Sequence, residues 1–385
     1  MGIPQPPAPD LLQGLRRLVN DVKCTESTEH NGLSGISCGS TSLISFADDS
    51  VQYAGIPVTE LAADGSFERV ICLLLNGSLP LDEVMGDVEA LLSDAAVVDR
   101  GVVEIVSQLP FGARPLNLLP LSISLLSFFD PTPHDNNPAA TRSRVFRLLA
   151  QLPVVIAFAL DAREPTHASE HPELSWSGRL LHILRGQQTV PTPVEDEAVN
   201  RLMICECLTS MRPAGFAGRF AASTVDHVPT SLLHASSLFV TQLRNDPFQW
   251  SAEVLRGLRG PRSAEAWWIR REGAPMPFGF SARSSDPRPE ILAGACGQLL
   301  GSYDRIVVES SARRLERLLA EKELFPNTEW MAARLMTLLD IPADRQSLLV
   351  AFARLVGWAA QAIEQSKFGH SLLPDLQYEG LTTTD

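Results

Sequence analysis

The chain has 385 residues, of which 45% are hydrophobic and 20% are charged. This length and composition are typical of a globular protein with one large core or two domains. The formal net charge of −13 argues against a surface that binds nucleic acid or an anionic membrane, so we expect neither as a partner.

The N-terminal segment MGIPQPPAPD has neither the basic start nor the apolar core of a signal peptide. The most apolar stretches, 116–129 and 154–160, are too short or too interrupted to cross a bilayer, so we expect a soluble cytoplasmic protein. The cysteines are too scattered for a disulfide framework, and a C-x-C pair is too short for a zinc knuckle. We therefore expect no metal site and six reduced, packed thiols: Cys24, Cys38, Cys72, Cys205, Cys207 and Cys296.

In chain order, the first elements are a loose proline-rich arm over 1–10 and a short amphipathic helix over 11–22. An alternating, glycine-punctuated stretch that begins at Gly32 predicts a small β-hairpin. Strand signals are nearly absent after residue 60, which indicates an all-α fold. Helical patterns and turn residues predict the following order: helices over 81–160 with breaks at Pro110 and Pro115, a helix over 178–185, an extended connection over 187–195, helices over 196–225 and 229–243, two short helices within 251–273, and helices over 290–300 and 310–322.

The C-terminal part of the chain predicts a long helix whose apolar stripe comprises Leu348, Phe352, Leu355, Val356, Ala359 and Ile363. Asp344 follows a turn at Ile341–Pro342 and is placed to cap this helix. Arg354 lies between apolar neighbours in the helix, and a buried guanidinium is costly without an anionic partner. Either an internal carboxylate or a bound anion would satisfy it.

Two short motifs match catalytic patterns but lack the context that the chemistry requires. Gly35–Gly39 fits G-x-S-x-G, yet a nucleophile elbow needs a buried strand before it and a helix after it. Here a polar TEHN segment precedes the motif and a strand-like SLISF follows it. His167–His171 fits H-x-x-E-H, yet this zinc pattern needs a helical face and a third ligand. We interpret the first as a glycine-rich hairpin and the second as a solvated loop.

The segment from Phe325 to Gly380 resembles the citrate synthase family. It contains the following motifs in the family's order and spacing: Pro326-Asn327-Thr328-Glu329, the turn Ile341-Pro342, Arg354-Leu355-Val356-Gly357-Trp358 and the pair Glu364-Gln365. Residues 32–80 are also similar to the family, with the landmarks GL-x-G, Y-x-G, ELA, FE-x-V and LLL-x-G-x-LP. The resemblance implies a two-domain helical fold with a small N-terminal β-hairpin. Its large domain would cover 1–243 and 331–385, its small domain 244–330, and its site would lie between them.

The resemblance also implies roles for three charged residues. Glu329 matches the family's catalytic aspartate, the base that removes a proton from the acyl α-carbon. A glutamate keeps the carboxylate but moves it by about one methylene, and roughly 1 Å of misplacement can cost two orders of magnitude in rate. Arg288 and Arg354 match two arginines that bind the carboxylates of the oxo acid.

Other positions depart from the family pattern. Thr209 stands in place of the histidine that binds the oxo acid, and Phe280 stands where a further histidine belongs. No histidine lies near 244–249, where a third is expected, and Leu373 replaces a third arginine. We expect the hydroxyls of Thr209 and Ser281 to serve as donors to an enolate, and Phe280 to line the substrate site. Ordinary citrate synthesis is therefore not expected, because donors of this kind supply a large part of enolate stabilisation.

Three hypotheses follow. The first is a repurposed acyltransferase, or a related enzyme of C–C bond formation, that acts on a small carboxylate or an acyl thioester. It needs no cofactor; a coenzyme A thioester is a candidate substrate, although the acidic charge disfavours its phosphates. The second is an inactive subunit that pairs with an active paralogue, and the third is a module that binds a small acid. Because the family dimerises through its large domain, we expect a homodimer or a heterodimer with a paralogue.

Overall fold

The computed structural model describes residues 35–47, 50–109, 114–161, 171, 173–187, 189–209, 211–225, 227–243, 246–271, 276, 278–282 and 284–374. The chain divides into two compact units, residues 1–40 and residues 41–385. Residues 35–40 of the first unit form an exposed irregular segment. The arm and helix predicted for residues 1–22 lie outside the described residues.

The second unit begins with an antiparallel sheet of three strands: β1 (Ile44–Ala47), β2 (Ser50–Tyr53) and β3 (Ile56–Pro57). Ile44 pairs with Tyr53, and Gln52 pairs with Pro57. The predicted hairpin is confirmed and extended by a short third strand. Ala54 and Gly55 both adopt positive φ, which turns the chain back for this strand.

The rest of the described chain is helical, which confirms the all-α prediction; its other strands are the two-residue pair β4 (Phe280–Ser281) and β5 (Phe325–Pro326). The helices are α1 (Val58–Asp64), α2 (Phe67–Asn76), α3 (Met85–Asp94), α4 (Arg100–Val106), α5 (Leu118–Phe128), α6 (Pro138–Asp161), α7 (Trp176–Leu184), α8 (Pro193–Glu206), α9 (Pro213–Thr224), α10 (Val228–Gln242), α11 (Pro247–Gly257), α12 (Pro261–Arg270), α13 (Arg288–Gln298), α14 (Tyr303–Ala320), α15 (Thr328–Leu338) and α16 (Ala343–Phe368). The division into domains at 243/244 and 330/331 stays a prediction.

Three boundaries differ from the predicted ones. The helical stretch 196–225 is two helices, α8 and α9, because Pro213 begins the second and residues 207–212 connect them. The extended connection ends early, since Thr192 and Glu195 form a capping box that starts α8 at Pro193. Helix α14 begins before residue 310, at Tyr303, where the Ser302 side chain accepts a hydrogen bond from a first-turn N–H.

Helix α16 lies at the centre of the core, with 18 of its 26 residues buried. It packs against α2, α8, α9, α10 and α11. The predicted stripe residues are buried, with Ile363 half-buried, but burial extends round most of the helix because neighbouring helices surround it. The predicted cap was wrong: no side chain caps α16, which begins after Pro342, and Asp344 lies in the first turn.

The C-terminal part of α16 is joined to the start of the sheet through Glu364. Its carboxylate accepts hydrogen bonds from Thr41 Oγ1 at 2.9 Å and from the Ser42 N–H at 2.7 Å. The Arg219 guanidinium of α9 completes the cluster. Because Glu364 and Arg219 are themselves buried, Glu364 of the sequence motif has a structural role here.

Two of the described helices, α6 and α16, are long and apolar enough to cross a membrane by length and composition alone. The most apolar window of α6 is 61% buried inside the fold, and that of α16 is 89% buried. Such burial is typical of a core helix in a large helical domain.

Candidate active site

A cleft of about 710 Å³ lies where several helix ends meet. Its walls come from the α8–α9 connection, the segment after β4, the first turns of α13 and α15, and the middle of α16. The cleft brings together five of the six predicted site residues: Thr209, Ser281, Arg288, Glu329 and Arg354. No histidine is among the described residues that line it.

Glu329 lies in the first turn of α15, whose N-cap Asn327 accepts a hydrogen bond from the Trp330 N–H at 3.2 Å. The carboxylate is half-buried and has no hydrogen-bond or ion-pair partner among the described residues. Burial raises the pKa of Glu329 above its ordinary value of 4.5; the charge of Glu206 adds to the shift, and Arg354 and Arg212 oppose it. A carboxyl group with a raised pKa and no partner is suited to accept and return a proton.

The β4–β5 pairing holds this first turn in place. The Asn327 N–H donates to the Gly279 carbonyl at 2.9 Å, directly beside the strand pair. Gly279 has φ of 79°, and a Cβ there would lie 3.0 Å from the Cβ of Trp330. Glycine is required at this position for both reasons, and its close approach keeps the Glu329 turn against the cleft.

Arg354 is paired with an internal carboxylate, one of the two alternatives that the sequence analysis left open. Its Nη2 donates to Oε2 of Glu206 at 2.8 Å, and its guanidinium carbon lies 5.2 Å from the centre of the Phe239 ring. Glu206 is only 1% exposed, and its Oε1 has no partner among the described residues. The Nε of Arg354 is likewise buried without an acceptor. This pair is therefore incompletely satisfied, whereas most buried polar atoms in proteins have partners.

Arg288 is buried and fully engaged at the start of α13. Its Nε and Nη2 donate to the Asp286 carboxylate at 2.6 to 3.0 Å, and its Nη1 donates to the carbonyls of Cys205 and Leu208 at 3.3 and 3.2 Å. The Tyr53 hydroxyl donates to the same two carbonyls. Burial alone would lower the pKa of Arg288, but the hydrogen bonds to Asp286 outweigh it and raise that pKa. Arg288 thus links the DPR turn to the end of α8.

A second buried arginine at the cleft is held in the same manner. Arg334 of α15 donates through Nη1 to Glu316 at 2.8 Å and through Nε to Glu309 at 2.8 Å. The Trp330 Nε1–H also donates to Glu316, at 2.7 Å. The two carboxylates belong to α14, so this network fixes α14 against α15.

Arg212 differs from the other arginines of the cleft. It is exposed at the end of the α8–α9 connection, and its guanidinium makes no hydrogen bond or ion pair with a described residue. Its charge nevertheless acts on Glu329. A cation that faces the cleft without a carboxylate of its own is available to a bound anion.

The remaining predicted residues are placed as follows. Thr209 lies half-buried in the α8–α9 connection and lines the cleft. Ser281 is exposed, and its hydroxyl donates to the Ala282 carbonyl at 3.2 Å. Phe280 is not among the described residues that line the cleft; its ring packs on Trp330 with centroids 4.8 Å apart. These positions put two hydroxyls in the same cleft as Glu329 and leave Phe280 as support for α15.

Six of the nine charged residues that line the cleft were not predicted as site residues: Glu206, Arg212, Asp286, Glu290, Glu316 and Arg334. Arg334 lies within an apolar helix, and Glu206 lies between the buried Cys205 and Cys207 at the end of α8, so the argument that demanded a partner for Arg354 applies to both. The ion pairs could not be predicted from the sequence, because the partners are distant along the chain. Arg354 and Glu206 are 148 residues apart, and Arg334 is 18 residues from Glu316 and 25 from Glu309.

Neither Ser37 nor His171, which belong to the two discounted motifs, is among the described residues that line the cleft. Ser37 is exposed, and strand β1 rather than a helix follows its segment. Residues 167–170 are outside the described part of the chain, while His171 contacts Glu173 at 3.2 Å. No group of three metal-binding side chains occurs among the described residues. The five described cysteines are free, and Cys38 is exposed rather than packed as predicted.

Comparison with known proteins agrees with this architecture. The family model described as citrate synthase, C-terminal domain, matches residues 32–373. Citrate synthase 2 of Bacillus subtilis is 25% identical over 362 residues, which covers 92% of this chain and 96% of the relative. The citrate/2-methylcitrate synthase of the same organism is 25% identical over 361 residues, with 91% and 96% covered.

Solved citrate synthases share the fold. The enzyme of Thermoplasma acidophilum, solved as a ternary complex with carboxymethyl coenzyme A and oxaloacetate, has a TM-score of 0.78 at 19% identity, with 92% of this chain and 96% of that chain covered. The enzyme of Thermotoga maritima has a TM-score of 0.75 at 20% identity, with 92% and 97% covered. The family model spans most of the sequence and the folds agree, so this chain belongs to the citrate synthase family.

Proposed function

We propose that the cleft catalyses C–C bond formation between an acyl thioester and a small carboxylic acid, with Glu329 as the general base. The observation that carries this proposal is the unpartnered Glu329 carboxylate in a cleft whose other buried charges are paired. Membership of the citrate synthase family supports the substrate class. The ternary complex of the Thermoplasma acidophilum enzyme, with a coenzyme A derivative and an oxo acid, supports it further.

In the proposed reaction, an oxygen of Glu329 takes a proton from the α-carbon of the thioester. The electron pair of the broken C–H bond moves into the C–C bond, and the thioester carbonyl becomes an enolate oxygen. Thr209 and Ser281 supply hydroxyl donors, and Arg354 lies near enough to Glu329 to stabilise its charged form. The enolate carbon then attacks the keto carbon of the acid while the enolate oxygen returns to a thioester carbonyl, and the alkoxide that forms takes the proton back from Glu329.

The acid itself would be bound by cationic groups of the cleft. Arg212 has no carboxylate of its own, and Arg354 uses one N–H on Glu206 and remains 17% exposed. Arg288 is fully engaged with Asp286 and two carbonyls, so it would contribute through charge and wall shape. The absence of histidine from the described lining supports a reaction that differs from ordinary citrate synthesis.

The test is exchange of the acyl α-protons in deuterated water. Acetyl-CoA and propionyl-CoA would be incubated with the protein, with and without a panel of 2-oxo acids, and analysed by mass spectrometry. We expect Glu329→Gln to lower the exchange rate at least 100-fold, as is typical for loss of a general base. Glu290→Gln is the matched control, because Glu290 is an exposed carboxylate on the same cleft. Exchange that is equal in Glu329→Gln and wild type would refute the proposal.

A second candidate is a subunit that lacks catalysis and pairs with an active paralogue, or binds a small acid as a signal. One observation favours it: three cleft arginines are already matched to internal carboxylates, as in a structural network. No exchange with any thioester, together with a native mass of a heterodimer, would support this candidate. In either case, we propose a cytoplasmic dimer, and native mass measurement of the purified chain tests its oligomeric state.

A further inference from the structure

Most of the arginines that line the cleft form ion pairs with carboxylates of the same cleft. Among the described lining residues there are five carboxylates and four arginines. Three of the arginines have a carboxylate of the cleft within ion-pair distance, at 2.6 Å for Arg288, 2.8 Å for Arg334 and 2.8 Å for Arg354. The site is therefore lined by arginines, but most of their charge is compensated before a ligand arrives.

Two groups near Glu329 determine what charge remains. Arg212 has no carboxylate partner among the described residues and faces the cleft from an exposed position. Arg354 is compensated by Glu206, whose second oxygen is buried without a donor. The negative charge of Glu206 is thus incompletely quenched, and it stands beside the arginine that would otherwise bind an anion.

We propose that the cleft selects an acid with a single carboxylate over a dicarboxylate, and that Glu206 determines this preference by neutralising Arg354. The inference rests on the proposed function, since it names the acid bound at the same site. It differs from a role in folding alone, because it assigns to Glu206 a repulsive effect on one class of ligand.

The physical argument concerns the second carboxylate of a dicarboxylate. One carboxylate pairs with Arg212 at the rim, where both groups keep part of their hydration. A second carboxylate placed deeper would lose its hydration near Arg354 and meet the charges of Glu206 and Glu329 there. Because Arg354 is already paired with Glu206, an ion pair between Arg354 and the second carboxylate does not offset the loss of its hydration.

Calorimetric titration with 2-oxobutanoate and oxaloacetate tests the preference, since both have four carbons and differ in one methyl against one carboxylate. We expect the wild-type protein to bind 2-oxobutanoate more tightly. In Glu206→Gln, which keeps the shape and removes the charge, oxaloacetate should gain about tenfold in affinity, or about 1.4 kcal/mol. Glu290→Gln, which removes an exposed charge and leaves the Arg354 pair intact, should change the ratio less than about threefold.

Arg212→Ala keeps the test decisive if Glu206→Gln fails to fold, because Arg212 is exposed and has no structural partner among the described residues. It should weaken 2-oxobutanoate binding about tenfold, the effect of one lost charge-assisted pair. Tighter binding of oxaloacetate by the wild type overturns the inference, and so does an unchanged preference in folded Glu206→Gln. Failure of both acids to bind also overturns it, whereas the proposed function fails separately, when thioester proton exchange is independent of Glu329.

Discussion

Gly357 of α16 lies directly against the carbonyl oxygen of Cys207, where α8 ends. A Cβ built on Gly357 would lie 2.1 Å from that oxygen, far inside van der Waals contact. Arg354 lies one turn earlier on α16, and Glu206 immediately precedes Cys207. The close approach of the two backbones therefore brings Arg354 within reach of Glu206, which gives the Arg354-x-x-Gly357 motif a physical meaning.

Gly357→Ala should destabilise the protein, because the new methyl group can be accommodated only by moving α16 from the end of α8. Overpacking of this kind costs roughly 1–3 kcal/mol or more. It should also separate Arg354 from Glu206. Gly294→Ala in α13 is the matched control: its Cβ would meet no atom within 4 Å, so stability should rise by about 0.5–1 kcal/mol. Urea unfolding of both variants gives the comparison, and equal stabilities would contradict the packing argument.

Arg334→Leu should be among the most damaging single substitutions of the cleft. Arg334 is 2% exposed and is the shared partner of Glu309 and Glu316, so its loss leaves Glu316 without a cation and Glu309 with only the exposed Arg313. Removing one partner of a buried ion pair costs about 3–5 kcal/mol. Arg313→Ala removes a cation from the same Glu309, but the Arg313 side chain is 56% exposed, and the cost should stay below about 1 kcal/mol. Chemical denaturation at one pH measures the free energy of unfolding of both variants. A similar loss of stability in the two would show that the burial of Arg334 does not cause its larger effect.

Glu195 should contribute a stability that disappears in acid. Burial would raise its pKa, but hydrogen bonds from Arg185, the Thr192 N–H and Arg305 outweigh burial and lower that pKa from 4.5 to about 2. Because the folded-state pKa is lowered, the contribution is present above about pH 4.5 and is lost as pH falls toward 2. Its size by linkage is on the order of 3 kcal/mol.

The check is the midpoint of urea unfolding of wild type and Glu195→Gln between pH 6 and pH 3. The wild type should lose more stability over this interval than Glu195→Gln. Glu197→Gln controls for position, because Glu197 lies on the same helix and its side chain is 51% exposed. It should show the same pH slope as the wild type; parallel slopes in all three proteins would refute the role of Glu195.

The pH dependence of thioester proton exchange should report the environment of Glu329. Burial raises the pKa of Glu329, so the rate should rise with pH through a midpoint above the ordinary 4.5. The charged groups that act on it are Arg354, Glu206 and Arg212, of which the two arginines lower its pKa. Arg212→Ala should therefore move the midpoint to higher pH, and Glu206→Gln should move it to lower pH. Exchange measured from pH 4 to pH 8 tests both signs, and shifts in the same direction would contradict the assignment.

Much of the fold was readable from local pattern. The alternation near β1 and β2 and the long apolar run of α16 are short-range signals, and they arise from backbone preference and burial within one element. The errors were also local. Asp344 is a common capping residue, yet Pro342 already sets the entry into α16, and no side-chain cap forms there.

Only part of the candidate site could be predicted from the sequence. Glu329, Thr209, Ser281, Arg288 and Arg354 line one cleft as expected, because each stands in a motif whose order reflects the fold. Phe280, predicted to contact substrate, instead packs on Trp330. Glu206 and Arg334 have no motif that marks them, although both are charged residues within buried helices.

The sequence by itself determined the family, the all-α class and the requirement that Arg354 meet an anion. It did so because burial of apolar stripes and the cost of an unpaired charge follow from residue type and spacing. Only the tertiary structure decided which anion that is and which charges of the cleft stay unpaired. Ion pairing depends on which helix ends lie close together in the fold. Glu206 contacts Arg354, 148 residues away in the sequence, because Gly357 allows the backbone of α16 to lie against the end of α8.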